Sequence, residues 1–147
     1  MADVVPLHYK TITEVAKLLQ SKKVSPVDLT LHMLNRIANL DPGFKSYATV
    51  MEESAMAAAR SAEQEIQAGT YRGALHGVPI AVKDLCFIKG VRTMGGTKTL
   101  VDNIPDFDAT VVTKCDTAGA VMLGKLNLTE GAMGGYNPDF DIPVNPW

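Results

Sequence analysis

Apolar residues recur at helical spacing twice in the first third of the chain. Thr11-Ile12-Thr13-Glu14 has the form of a capping box, with Thr11 as cap and Glu14 reaching back to its amide. Val15, Leu18 and Leu19 then fall on one face. Ser25-Pro26-Val27-Asp28 marks a second start, because serine caps well, proline suits the first helical position and an early acid favours the helix dipole. Val27, Leu31, Leu34 and Ile37 or Ala38 make its expected apolar stripe, and Asp41-Pro42-Gly43 is expected to stop it. Together these segments predict a helical hairpin over about residues 10–41.

From about residue 46 to 147 the period alternates between strand and helix. Ser46 to Val50 is short and β-branched, as a strand is. Met51 to Ala68, rich in Ala, Glu, Gln and Met, reads as a helix ended by Gly69-Thr70. Ile80 to Val82 predicts a buried strand, apolar on both faces. Ala109 to Thr117 predicts a helix with Asp108 as cap, and Ala120 to Gly124 another strand. The expected class is therefore α/β, a sheet flanked by helices and preceded by the hairpin. Beyond Asn127, glycines and prolines make the chain loop-like, and its close at Val144-Asn145-Pro146-Trp147 reads as the end of a fragment.

Composition narrows the function classes. The 147 residues are 46% apolar and 20% charged with a net charge of −2. That gives no electrostatic case for nucleic acid or an anionic membrane. No apolar run approaches the roughly 20 residues of a membrane span, and no basic-then-apolar leader opens the chain. Cys86 and Cys115 lie far apart without a CxxC, so reduced thiols in a cytoplasmic protein are expected. His8, His32 and His76 show no ligand spacing, and no metal or other cofactor is expected.

The residue that raises a chemical question is Lys83, at the end of the apolar run Val78-Pro79-Ile80-Ala81-Val82. Its stem could pack on the core while the ammonium reaches water. Alternatively, a desolvated amine at a strand end, where open sheets place their sites, could serve as a base. Pattern alone leaves both standing. Gly95-Gly96 and Gly134-Gly135 read as turns, Cys86 as a packed thiol and His76 as a structural histidine.

A longer pattern decides more. Leu75, Gly77, Val78, Pro79, Ile80, Val82, Lys83 and Asp84, followed by Gly90, Val91, Thr93, Gly96 and Thr97, resemble the lysine segment of the amidase signature family. "DATVV" at Asp108–Val112, "GAVMLGKLNLTEGAMG" and the closing "NPW" resemble later family segments in the same order, and Ser25-Pro26 of the hairpin fits too.

The resemblance implies the amidase signature fold, a mixed central sheet flanked by helices. It also implies hydrolysis of small or aryl amides, with carbamates or esters as further substrates, through a Ser–cis-Ser–Lys triad. Lys83 matches the family's catalytic lysine, with desolvation expected to keep the amine neutral. Met133, Gly134 and Gly135 match the loop lining the acyl pocket. Neither serine segment is present, so the chain corresponds to roughly the first third of such an enzyme and is expected to be inactive alone. A second reading is the glutaminase subunit of a tRNA-dependent amidotransferase; a third is an inactive truncated chain. The expected partner is a small-molecule amide, with no direct nucleic-acid contact and no membrane; a homodimer is left open.

Overall fold

The computed structural model describes residues 5–147, and the two helix starts are capped as their sequences require. Helix α1 spans Ile12–Gln20, with the Thr11 hydroxyl accepting from the Glu14 N–H and the Glu14 carboxylate accepting from the Thr11 N–H at 2.8 Å. Helix α2 spans Pro26–Phe44, and the Ser25 hydroxyl accepts from the Val27 and Asp28 amides. Two details of the hairpin differ from expectation. Pro42 lies within the last turn of α2, where it forgoes only its own N–H, and the stop is the left-handed Lys45 with φ 54°. The buried face carries Leu29, Thr30 and Leu34, so Leu31 turns outward at 44% exposure. Because Pro26 and Thr30 share in the packing, the stripe is rotated from the one that apolar residues alone suggest.

Strand β1 (Tyr47–Val50) leads into helix α3 (Glu52–Gln67), then β2 (Pro79–Lys83), helix α4 (Thr110–Thr117) and β3 (Val121–Leu126). The sheet order is β1-β3-β2, with β1 antiparallel and β2 parallel to β3. This is the expected mixed sheet, flanked by helices.

One core groups Val15, Leu19, Leu29, Ile66 and Val78, and a second groups Leu34, Ala55, Ala59, Val121 and Leu123. Burying a leucine such as Leu19, fully enclosed here, contributes about 1.5–3 kcal/mol. Gly124 permits the β1–β3 contact, since a Cβ there would overlap the Thr49 carbonyl oxygen.

Two further expectations need correction. Asp108 does not cap α4. Ala109 holds that position, while the Asp108 carboxylate accepts the Lys89 N–H at 2.7 Å. And β2 is only half-buried, because it forms one edge of the three strands; the enclosed strand is β3, at the centre.

Candidate active site

Three segments converge where the parallel strands end. The first follows β2, from Lys83 to Cys86. The Asp84 N–H donates to the Leu126 carbonyl at 2.9 Å, and the Cys86 N–H donates to that of Lys83 at 3.0 Å. The second is the Thr93–Thr97 turn, whose Gly95 N–H donates to the Asp84 carbonyl at 3.0 Å. The third is the loop after β3, where the Gly131 N–H donates to the Gly95 carbonyl at 2.8 Å. Gly95 thus bridges the lysine segment and the Met133-Gly134-Gly135 loop. That loop is closed by bonds from the Glu130 N–H to the Gly135 carbonyl, 2.9 Å, and from the Gly134 N–H to the Glu130 carbonyl, 3.0 Å.

The Gly95-Gly96 pair is the expected turn, with φ of 60° and 69°. It is also an interlock. A Cβ on Gly96 would lie 2.8 Å from the Leu128 carbonyl oxygen and 3.1 Å from that of Thr129. Backbone packs on backbone here, and only glycine fits. In the loop itself Ala132 is left-handed, φ 61°, a conformation that costs a residue with a Cβ roughly 1–2 kcal/mol. Met133 stands beside it, 94% exposed, with Gly134 and Gly135 exposed as well.

Among the described residues Lys83 is exposed, with its ammonium reaching water as one of the two sequence readings allows. The cause is the edge position of β2, which leaves its end unscreened by the described residues. Among those residues no hydrogen bond or ion pair engages its ammonium. The desolvated lysine is instead Lys125, on the neighbouring strand and 0% exposed. Its Nζ donates to Thr93 Oγ1 at 2.6 Å and lies 3.0 Å from Asp84 Oδ1. Asp84 is itself 1% exposed, and its Oδ2 accepts the Met94 N–H at 2.9 Å. Sequence reasoning missed Lys125 and the part played by Asp84. The available signal was a lysine closing the apolar run Val121-Met122-Leu123-Gly124.

His76 is buried as a structural residue. Its Nδ1 accepts the Arg72 N–H at 3.1 Å, and Nε2 lies 3.2 Å from Glu65 Oε2. Burial pushes its pKa below the ordinary histidine value; the Glu65 carboxylate pulls the other way without reversing this, and the Arg72 guanidinium adds to the lowering. His8 and His32, far apart in sequence, stack with Nδ1 and Nε2 at 3.0 Å. Both cysteines are unpaired. Among the described residues no three metal-ligating side chains cluster, and no helix is long and apolar enough to cross a membrane.

This mixed-sheet fold has counterparts among known proteins. The Amidase family model matches residues 28–147, so the chain belongs to the amidase signature family. AmiD of Mycobacterium tuberculosis (strain ATCC 25618 / H37Rv), which carries the name of an amidase, is 51% identical over 136 residues, covering 92% of this chain and 29% of AmiD. A glutamyl-tRNA(Gln) amidotransferase subunit from Azotobacter vinelandii is 47% identical over 143 residues, covering 96% of this chain and again 29% of the relative. The native peptide amidase of Stenotrophomonas maltophilia superposes with a TM-score of 0.79 at 31% identity, over 85% of this chain and 26% of that one. The chain therefore spans less than a third of the length of these relatives.

Proposed function

We propose that the full-length protein hydrolyses carbon–nitrogen bonds of small or aryl amides with Lys83 as its base. The observation that carries this is the division between the two lysines. Lys125 is sealed against Asp84 and Thr93, whereas the Lys83 ammonium is free at the mouth of the junction among the described residues. Of the two, Lys83 is the amine that no described carboxylate engages, and it is the one we assign to proton transfer with a serine hydroxyl. In the Ser–cis-Ser–Lys relay that the family resemblance implies, neutral Lys83 takes a proton from the bridging serine. That serine takes one from the nucleophilic serine, which attacks the amide carbon. The proton returns to the departing amine, and water then hydrolyses the acyl-enzyme.

Both serines belong to family segments absent from these 147 residues, so this stretch alone is inactive. The shelter that a neutral amine needs comes from those same segments. Met133, Gly134 and Gly135 form one wall of the acyl pocket, presented by a loop that Gly95 holds at a fixed distance from the lysine segment. The unpaired Cys86 and Cys115 fit a reducing, cytoplasmic setting.

Replacement of Lys83 in the full-length protein tests the reading. Lys83→Ala should lower amide turnover by about 100-fold or more with the fold intact. Lys83→Arg should do nearly the same, because guanidinium does not deprotonate in proteins. Retention of more than about a tenth of wild-type turnover by either would refute the assignment.

A second reading, the glutaminase component of a tRNA-dependent amidotransferase, is favoured by the 47% identity to the Azotobacter vinelandii protein. The two separate on substrate. Turnover of aryl amides by the protein alone supports the amidase, whereas glutamine hydrolysis that requires added partner proteins supports the amidotransferase.

A further inference from the structure

The buried pair Asp84–Lys125 carries a desolvation cost. Taking a carboxylate and an ammonium out of water is expensive, and well-packed apolar residues commonly do as well or better in such places. Here the two side chains are almost completely enclosed, in the residue directly after Lys83 and in the strand beside it. Every polar group of Asp84 is committed. Its N–H goes to Leu126, its carbonyl receives the Gly95 N–H, its Oδ2 receives the Met94 N–H and its Oδ1 faces Lys125 at 3.0 Å. Oδ1 has no directed hydrogen bond, so the charge of Lys125 is all that compensates it. Lys125 in turn donates to Thr93 Oγ1, and the Thr93 carbonyl accepts Asn103 Nδ2–H at 3.0 Å while its N–H donates to the Asn103 carbonyl at 2.9 Å. One ammonium thereby ties the end of the central strand, the residue after the free lysine and the glycine turn that holds the Met133 loop.

We infer that Lys125 and Asp84 are positioning residues, which fix the end of β2 so that the Lys83 amine is presented at one place relative to the loop of Met133–Gly135. The pair is buried among the described residues and acts through the backbone of Asp84. The inference rests on Lys83 being the base. It predicts that a geometry built by an ion pair is not rebuilt by a neutral pair of similar size, even where stability is.

The test separates fold from function in the full-length protein. Lys125→Met strands the Asp84 carboxylate and should lower both Tm and kcat. Asp84→Asn combined with Lys125→Met removes both charges, and Tm should recover most of the loss. In that double variant kcat should stay down by about tenfold or more with KM changed less than about threefold, because a base displaced by a fraction of an ångström impairs chemistry rather than binding. A double variant whose kcat returns to within about twofold of wild type would overturn the inference and make the pair ordinary charge compensation. If the double variant does not fold, Thr93→Val decides, since it is isosteric and keeps the ion pair while removing the second anchor of the ammonium. A kcat fall of about threefold or more at unchanged KM supports positioning, and an unchanged kcat overturns it. Lys83→Ala is run alongside. Full activity in that variant, or a wild type that cleaves no amide, refutes the proposed function and the inference with it; an inactive Lys83→Ala beside a fully active double variant refutes the inference alone.

Discussion

Gly95 and Gly96 offer a controlled comparison, since the two neighbours share a left-handed backbone and differ in what surrounds them. At Gly95 the φ is 60° and a Cβ would meet nothing within 4 Å. At Gly96 the φ is 69°, and the Cβ would lie 2.8 Å from the Leu128 carbonyl oxygen and 3.2 Å from the Thr129 carbonyl carbon. Gly95→Ala therefore carries only the conformational cost, roughly 1–2 kcal/mol for an L-residue placed left-handed. Gly96→Ala carries the same cost plus that of moving backbone, about 1–3 kcal/mol by the usual scale of overpacking. No side chain can swing away, because the obstructing atoms belong to the main chain between β3 and the Met133 loop. Equilibrium urea unfolding of the two full-length variants measures the difference directly. Gly96→Ala should have the lower midpoint, by an amount equivalent to about 1–3 kcal/mol. It should also lose amide turnover, since the Gly131–Gly95 hydrogen bond carries the displacement into the loop. Equal midpoints for the two variants would show that the segments do not interlock as described.

Other substitutions read other parts of the structure. Gly119→Ala should destabilise more than Gly95→Ala, because a Cβ there meets the buried His76 ring at 2.5 Å and φ is 77°; thermal unfolding of the two variants side by side checks it. Ser25→Ala should cost about 1 kcal/mol by removing the cap of α2, measured by the same denaturant series. His76 gives a pH dependence whose sign is fixed by its burial. Its folded pKa lies below the unfolded value near 6.5, so the unfolded chain binds more protons and stability falls as pH drops below that value. His76→Asn should flatten the change in Tm between about pH 7 and pH 5, and an unchanged slope would remove His76 from the account.

Much of the fold is legible in the sequence because local chemistry and packing agree. The capping box at Thr11 and the serine cap before Pro26 appear as their residues dictate, and the strand–helix alternation gives the mixed sheet. What is not legible is set largely by neighbours beyond the local pattern. The outward turn of Leu31 follows from Thr30 packing inward, which an apolar pattern does not anticipate. The stop at Lys45 rather than Pro42 reflects the Asp41 carboxylate, whose oxygens accept the Ser46 and Tyr47 amides just past the helix end. Asp108 reads as a local cap, yet its partner, the Lys89 N–H, lies 19 positions earlier. In the candidate site, motif order points to Lys83 and the Met133 loop, but the link between them, Gly95, shows only once the loops are assembled.

The two lysines show most clearly where local pattern stops deciding. Lys83 follows Pro79-Ile80-Ala81-Val82, and Lys125 follows Val121-Met122-Leu123-Gly124; each is a lysine closing an apolar strand. By local pattern they are nearly equivalent, and that pattern leaves burial and exposure open for both. Strand order separates them. β3 lies between β1 and β2, so a lysine near its end is enclosed and must bring a counter-charge with it, which Asp84 supplies. Among the described residues β2 lies at the edge of the three strands, and no group there engages its lysine. An enclosed, paired ammonium is suited to holding structure, while an open one suits the proton-transfer role proposed for Lys83. The proposed division of roles thus turns on which of the three strands is central, and exchanging the two lysines would require exchanging the strands.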